Sequence, residues 1–161
     1  MLTPIQQDFR HAMSKLAAGV SIITTKGDAG QCGITATAVC SLTDSPPTVI
    51  VCINRNSAMN PIFQQNRRIC INVLSSEQRE LAEHFAGFKG STMEERFQWQ
   101  CWDKDELFPC LKDSLANLSG KVVDVQDIGS HSMFLVELDK IKVNPQDKAL
   151  VYFSRNFHTV G

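Results

Sequence analysis

Behind Thr3-Pro4, apolar residues recur at helical spacing at Ile5, Phe9, Met13 and Leu16. A hydroxyl N-cap with proline at the first helical position predicts that the chain opens on a helix, stopping near Gly19. The pattern then changes to a strand over 20–25, a hairpin turn at Gly27-Asp28-Ala29-Gly30 and a returning strand over 31–41. Asp44-Ser45-Pro46-Pro47 breaks that strand, because the prolines lack amide donors and fix the backbone in a turn. Residues 48–54 form the next strand, apolar on both faces and so expected inside a sheet.

Asn56-Ser57 is expected to cap a short helix through about Gln65, and residues 67–74 contain a further strand. Ser75 with Gln78 has the spacing of a capping box before a helix through His84, which turns Leu81 and Phe85 to the core. From 87 to 118 the pattern loosens around a short helix at 93–97, then an irregular stretch with Trp99, Trp102 and Pro109. A loop of that length in a compact domain is functional or an interface, and its tryptophans cover a pocket, a dimer contact or the core. Residues 115–125 and 132–143 read as antiparallel strands around Gly129, and 149–153 as the last strand. About seven strands with helices between them give a mainly β fold with peripheral helices, compatible with an antiparallel barrel.

Composition narrows the class. A chain of 161 residues suits one domain, here 1–161, and can bury about 70% of its unfolded surface without cross-links. Sixteen basic against seventeen acidic residues leave a net charge of -1, scattered apart from Arg67-Arg68, which gives no footprint for nucleic acid. Apolar runs such as 49–53 are too short to span a bilayer, and the N-terminus lacks the basic-then-apolar plan of a signal peptide. The expectation is a soluble, cytoplasmic protein. Six cysteines without a C-x-x-C are read as structural thiols, and four dispersed histidines make no zinc motif, so no metal site is expected.

Hydrolytic and nucleotide-fold signatures are absent: no G-x-S-x-G, H-E-x-x-H, P-loop or G-x-G-x-x-G occurs. What stands out is the run Gly33-Ile34-Thr35-Ala36-Thr37-Ala38-Val39-Cys40-Ser41, followed by Pro46-Pro47 and then Asn54-Arg55-Asn56-Ser57-Ala58-Met59-Asn60-Pro61. Small side chains leave backbone amides uncovered, suited to the polar edge of a flat heterocycle, and a Ser/Asn turn can hold a phosphate. An ordinary half-buried strand followed by a helix cap has the same pattern.

These segments, with Phe9-Arg10, Ala12-Met13, residues 20–25, 70–74, 84–87, 93–97, Gly129-Ser130-His131 and 150–158, resemble the flavin reductase family with the FMN-binding split barrel along nearly the whole chain. The resemblance implies an antiparallel Greek-key split β-barrel. It implies an NADH-dependent oxidoreductase that reduces free FMN or FAD and passes the reduced flavin to a partner oxygenase, in aromatic catabolism or pyrimidine degradation. It also implies a homodimer. Residue by residue, it places Thr35, Ala36, Thr37, Ala38, Cys40 and Ser41 along the isoalloxazine, Asn54, Ser57 and Asn60 at the ribityl and phosphate groups, and Phe85 in the cofactor-binding set. His131 is implied beside the nicotinamide as the catalytic residue, with Tyr152 and Arg155 binding the nicotinamide and closing the site. The family frequently has an acidic residue where this chain has Ser130. A flavin-binding barrel without turnover is the competing reading, since only His131 and the C-terminal strand separate the two.

Overall fold

The computed structural model describes residues 1–161. Thr3 caps α1 (Pro4–Met13) with a reciprocal pair of bonds: the Gln6 amide donates to Thr3 Oγ1 and the Thr3 amide to Gln6 Oε1. The helix ends at Met13 with Ser14 as its C-cap, one turn earlier than the apolar spacing through Leu16 predicts. None of its residues is buried.

The strands that follow are β1 (Ala18–Gly19), β2 (Ser21–Gly27), β3 (Gly30–Ala36), β4 (Val39–Asp44) and β5 (Pro47–Asn54). After α2 (Asn60–Asn66) come β6 (Arg68–Val73), a short 3-10 turn (Ser76–Gln78), α3 (Arg79–Phe85) and α4 (Met93–Phe97). The chain closes with β7 (Ala116–Ile128), β8 (His131–Val143), β9 (Ala149–Phe153) and β10 (Asn156–Val160). Ten strands replace the predicted seven, largely because the last strand turns back at Ser154-Arg155 into β10 and because the predicted strand over 31–41 is two.

That division explains the architecture. In the seven-stranded antiparallel sheet the order is β3-β2-β6-β7-β8-β5-β4, so the two edge strands, β3 and β4, are consecutive in the chain. Only Thr37 and Ala38 separate them. A connection of two residues cannot reach across a flat sheet seven strands wide, since neighbouring strands lie about 4.8 Å apart. The sheet therefore curls until its edges meet. No ladder joins β3 to β4, which leaves the barrel split at that seam. A second sheet, β1-β9-β10, is held to the first by bonds between Val20, Leu74 and Leu150.

Strand alternation fills two cores. Ile23 faces the barrel interior with Val51, Ile53, Ile71, Phe134 and Val136, and Phe63 of α2 enters the same cluster edge-on to Phe134. Ile22, one residue away, faces the other side, with Leu74, Ala82, Phe85, Trp102, Leu111 and Leu150. β5 lies inside the sheet, as its two apolar faces predict. Trp102 stacks on Phe97 and donates its indole N–H to the Arg96 carbonyl, so this tryptophan belongs to the core. Asn72 ties the 98–115 excursion to the barrel: its amide donates to the Ile22 carbonyl while its oxygen accepts from the Leu111 amide and from Asn117. Such a satisfied buried amide fixes a loop that has little regular structure of its own.

All six cysteines are free thiols, and no helix is long and apolar enough to cross a membrane.

Candidate functional site

The seam exposes backbone as well as side chains. No hydrogen bond within the chain uses the amide of Thr37 or of Ala38. Their carbonyls are occupied, Thr37 O by the Val39 amide and Ala38 O by the Cys52 amide, and both residues are exposed. Two free donors at a strand break, on residues whose own side chains are no larger than threonine, are available to an acceptor from outside.

Facing the seam is α1. Arg10, Met13 and Leu16 from the helix side and Thr37, Ala38, Tyr152 and Arg155 from the strands line a groove of about 540 Å3. That is within the range of pockets for cofactor-sized ligands, about 300–1,000 Å3. A second groove, of about 460 Å3, runs beneath the N-terminal half of the helix and is lined by Ile5, Phe9, Arg10, Ser130 and His131. Arg10 lines both.

Thr37, Ala38, Tyr152 and Arg155 thus converge, and His131 lies in the adjoining groove. Alternation along β9 sends Tyr152 toward the groove, edge-on to Phe157, while Phe153 lies beside His158. Arg155 occupies a left-handed position, φ 62°, in the tight β9–β10 turn. His131 is the first residue of β8; its Nδ1 is 2.8 Å from Ser130 Oγ, and its Nε2 has no partner in the chain.

The other expected residues are placed differently. Thr35 Oγ1 donates to the Ala82 carbonyl of α3, and Ala36 packs against the barrel core. Cys40 and Ser41 are exposed on β4, opposite Ile50 and Val49. Burial, and then the neighbouring Cys40, raise the Cys52 thiol above its ordinary value. Phe85 lies in the second core, against Phe97 and Trp102 and beneath the Arg96 guanidinium, in neither groove.

In the Asn54–Asn60 segment, Asn54 Oδ1 accepts from the Asn56 amide and Ser57 Oγ from the Met59 amide. These bonds form a turn ahead of the helix. The cap expected from Asn56-Ser57 is replaced by Met59, which has no capping side-chain bond, and α2 begins at Asn60. Asn60 is 3% exposed, and its amide donates to the carbonyls of Ile53 and Asn54 and to Ser132 Oγ while its oxygen accepts from Gln64. Asn60 organises the turn from within.

Sequence reasoning did not assign Arg10, Met13, Leu16, Ile5 and Phe9 to the site. The available signal was an amphipathic helix whose apolar stripe has to meet something. Chemically the grooves offer two guanidinium groups (Arg10 and Arg155), an imidazole, free amides and two aromatic rings, Phe9 and Tyr152. They contain no carboxylate, so the one hydroxyl–imidazole pair, Ser130 with His131, has no acidic partner in either groove to orient the ring as a base. Such a set can bind and orient an anionic, flat ligand; it is not hydrolytic machinery.

The chain has clear relatives among known proteins. The family described as Flavin reductase like domain matches residues 13–161. The chain is 58% identical to the 4-hydroxyphenylacetate 3-monooxygenase reductase component of Escherichia coli, over 94% of this chain and 90% of that protein. It is 41% identical to the FMN reductase (NADH) RutF of Enterobacter cloacae, over 99% and 97%. The solved flavin reductase PheA2 superposes with a TM-score of 0.86 at 32% identity, covering 96% of this chain and 97% of that one.

Proposed function

The chain belongs to the flavin reductase family, and from that membership we propose that it is an NADH-dependent reductase of free FMN or FAD serving a separate oxygenase. The oxygenase is 4-hydroxyphenylacetate 3-monooxygenase, the system named for relatives at 58% and 55% identity. The structural observation that carries the reading is the seam at Thr37-Ala38, where two unpaired amides open into a groove shared with Tyr152 and Arg155.

The free amides fit the oxygen and nitrogen edge of an isoalloxazine, and the groove volume fits the ring. Bound flavin and nicotinamide supply the hydride chemistry between them. The chain's residues bind and align. Thr37 and Ala38 hold the ring edge and favour negative charge on it. The Asn54–Asn60 turn presents the Ser57 hydroxyl to the ribityl and phosphate end. His131 and Arg155 orient the nicotinamide, and Tyr152 supplies an aromatic wall. An open groove rather than a closed cavity suits a flavin that arrives and leaves.

A homodimer completes this reading. The apolar stripe of α1 is exposed in the single chain although it borders both grooves, and a second copy laid on it would exclude water from them. Six free thiols and the use of NADH support a cytoplasmic location.

Steady-state NADH oxidation tests the activity. Turnover is slow for the protein alone and rises steeply with micromolar FMN or FAD, and extensive dialysis removes bound yellow chromophore. A stoichiometric flavin that survives dialysis, with no acceleration by added flavin, overturns the diffusible-substrate reading. Absence of NADH oxidation under every condition leaves a flavin-binding module.

A further inference from the structure

We propose that Arg55 is a positioning residue, which acts through His131 by bracing the β7–β8 turn from the segment assigned to the flavin phosphate. The inference rests on the placement of His131 at the nicotinamide.

The geometry begins where β5 runs out. Asn54 is the last residue of β5 and pairs with His131, the first residue of β8. Beyond that rung lie the turn residues Gly129 and Ser130, with Gly129 in a left-handed conformation, φ 57°. A two-residue turn at the tip of a hairpin with 13-residue strands has no neighbouring strand to hold it. Two hydrogen bonds reach it from another segment, and both come from Arg55. Its backbone amide donates to the Ser130 carbonyl at 2.8 Å, and its Nη1 donates to the Gly129 carbonyl at 3.0 Å.

The guanidinium is held in turn by a carboxylate on the same hairpin. Arg55 Nε is 3.7 Å from Asp127 Oδ2, and Asp127 Oδ1 accepts from Ser132 Oγ at 2.6 Å. Ser132 Oγ accepts from the buried Asn60 amide at 3.1 Å. A continuous chain of polar contacts therefore runs from Asn60 through Ser132 and Asp127 to Arg55 and the Gly129 carbonyl. The Asn54–Asn60 turn and the His131 turn are one mechanical unit.

The consequence falls on His131. Its Nδ1 is bonded to Ser130 Oγ, a hydroxyl on the residue whose carbonyl Arg55 holds. Fixing Ser130 fixes the imidazole and leaves Nε2 free. The orienting hydroxyl sits on a turn residue, so orientation of the ring in this chain depends on the backbone of the turn. Arg55 itself lines neither groove.

Arg55→Ala retains the backbone bond to Ser130 and removes the side-chain brace. The apparent KM for NADH then rises about tenfold, a ratio that corresponds to about 1.4 kcal/mol, while melting temperature and FMN affinity hold. Arg55→Lys, with a donor within reach of the Gly129 carbonyl, recovers much of the loss, and Arg55→Met does not.

The deciding measurement is a double-mutant cycle with His131→Ala. If Arg55 acts through His131, adding Arg55→Ala to His131→Ala changes the KM for NADH no further. Additive losses overturn the proposal, as does a fall in FMN affinity with riboflavin affinity unchanged, which would place Arg55 on the phosphate itself. Arg55→Ala with wild-type NADH kinetics, when His131→Ala is impaired, removes Arg55 alone. His131→Ala with wild-type kinetics removes both residues and leaves flavin reduction standing. Should Arg55→Ala unfold, Arg55→Met and Arg55→Lys carry the same cycle.

Discussion

Asn54 and His131 face each other across the β5–β8 ladder as its final rung. The residue that starts the turn proposed for the flavin phosphate and the imidazole proposed for the nicotinamide are thereby held at one backbone spacing. A ligand that orders the Asn54–Asn60 turn also steadies the strand end that carries His131. In a reaction between two bound cofactors, alignment of the reacting atoms is the main contribution the protein can make.

His131 is exposed and contributes nothing to either core. His131→Ala therefore raises the apparent KM for NADH or slows flavin reduction by about tenfold, the effect of losing one favourable contact. Melting temperature and flavin affinity stay near those of the parent. Stopped-flow reduction followed against NADH concentration separates binding from hydride transfer. Parent-like NADH kinetics in this variant would take the imidazole out of the site.

Ser57 Oγ accepts from the Met59 amide at 3.2 Å, which leaves its hydroxyl hydrogen free to donate. Ser57→Ala weakens FMN binding by about 0.5–1.5 kcal/mol if that hydrogen meets a phosphate oxygen. Riboflavin is the control, read by fluorescence quenching. An equal loss for both ligands would show that the hydroxyl serves the turn, not the phosphate.

Local signals were legible wherever a short segment decides its own conformation. Thr3-Pro4 starts α1, Gly27-Asp28-Ala29-Gly30 turns β2 into β3, and Ser75 with Gln78 opens the 3-10 turn before α3. The seam was not legible. Nothing in the alternation of residues 31–41 reveals that its first half pairs with β2 and its second with β5, because a change of partner alters the ladder and leaves the pattern of side chains intact. The same gap hid β10: the turn is made by Ser154 and Arg155, both at positive φ, where glycine or asparagine would have signalled it. At the site, small residues at Thr37 and Ala38 announced uncovered amides. The inward turn of Phe85 onto Trp102 and the commitment of Thr35 to Ala82 depend on which face α3 covers, and that is a tertiary fact.

α1 offers a test of assembly. Ile5 and Phe9 are 74% and 62% exposed, an unusual state for such residues on one helix face. Sedimentation equilibrium is expected to show a dimer. Phe9→Glu weakens it by roughly 10- to 150-fold, the ratio for about 1.5–3 kcal/mol of lost aromatic burial. A monomeric parent, or a dimer indifferent to this charge, would exclude α1 from the interface.

Two thiols raised by burial make the fold sensitive to alkaline pH. Cys32 belongs to the barrel core at 2% exposure, and burial pushes its thiol from the ordinary 9.0 up to about 12. Burial likewise raises Cys101 to about 11. Below the unfolded value both states hold the proton and the thiol has no effect on the pH dependence. Above it the unfolded chain releases a proton that the folded chain retains, so folding takes up a proton and stability falls as pH rises. The window runs from about 9, where the unfolded thiol titrates, toward the folded values. Urea unfolding midpoints are expected to decline across it. In Cys32→Ala the loss of a buried sulfur lowers stability at neutral pH, but the decline above about pH 9 becomes shallower, because one proton-retaining group is gone. Lysine and tyrosine titration affect both proteins alike, so the difference between the two curves isolates the thiol. Parallel curves would mean that Cys32 releases its proton in the folded barrel as easily as in the unfolded chain, and that the core around it admits water.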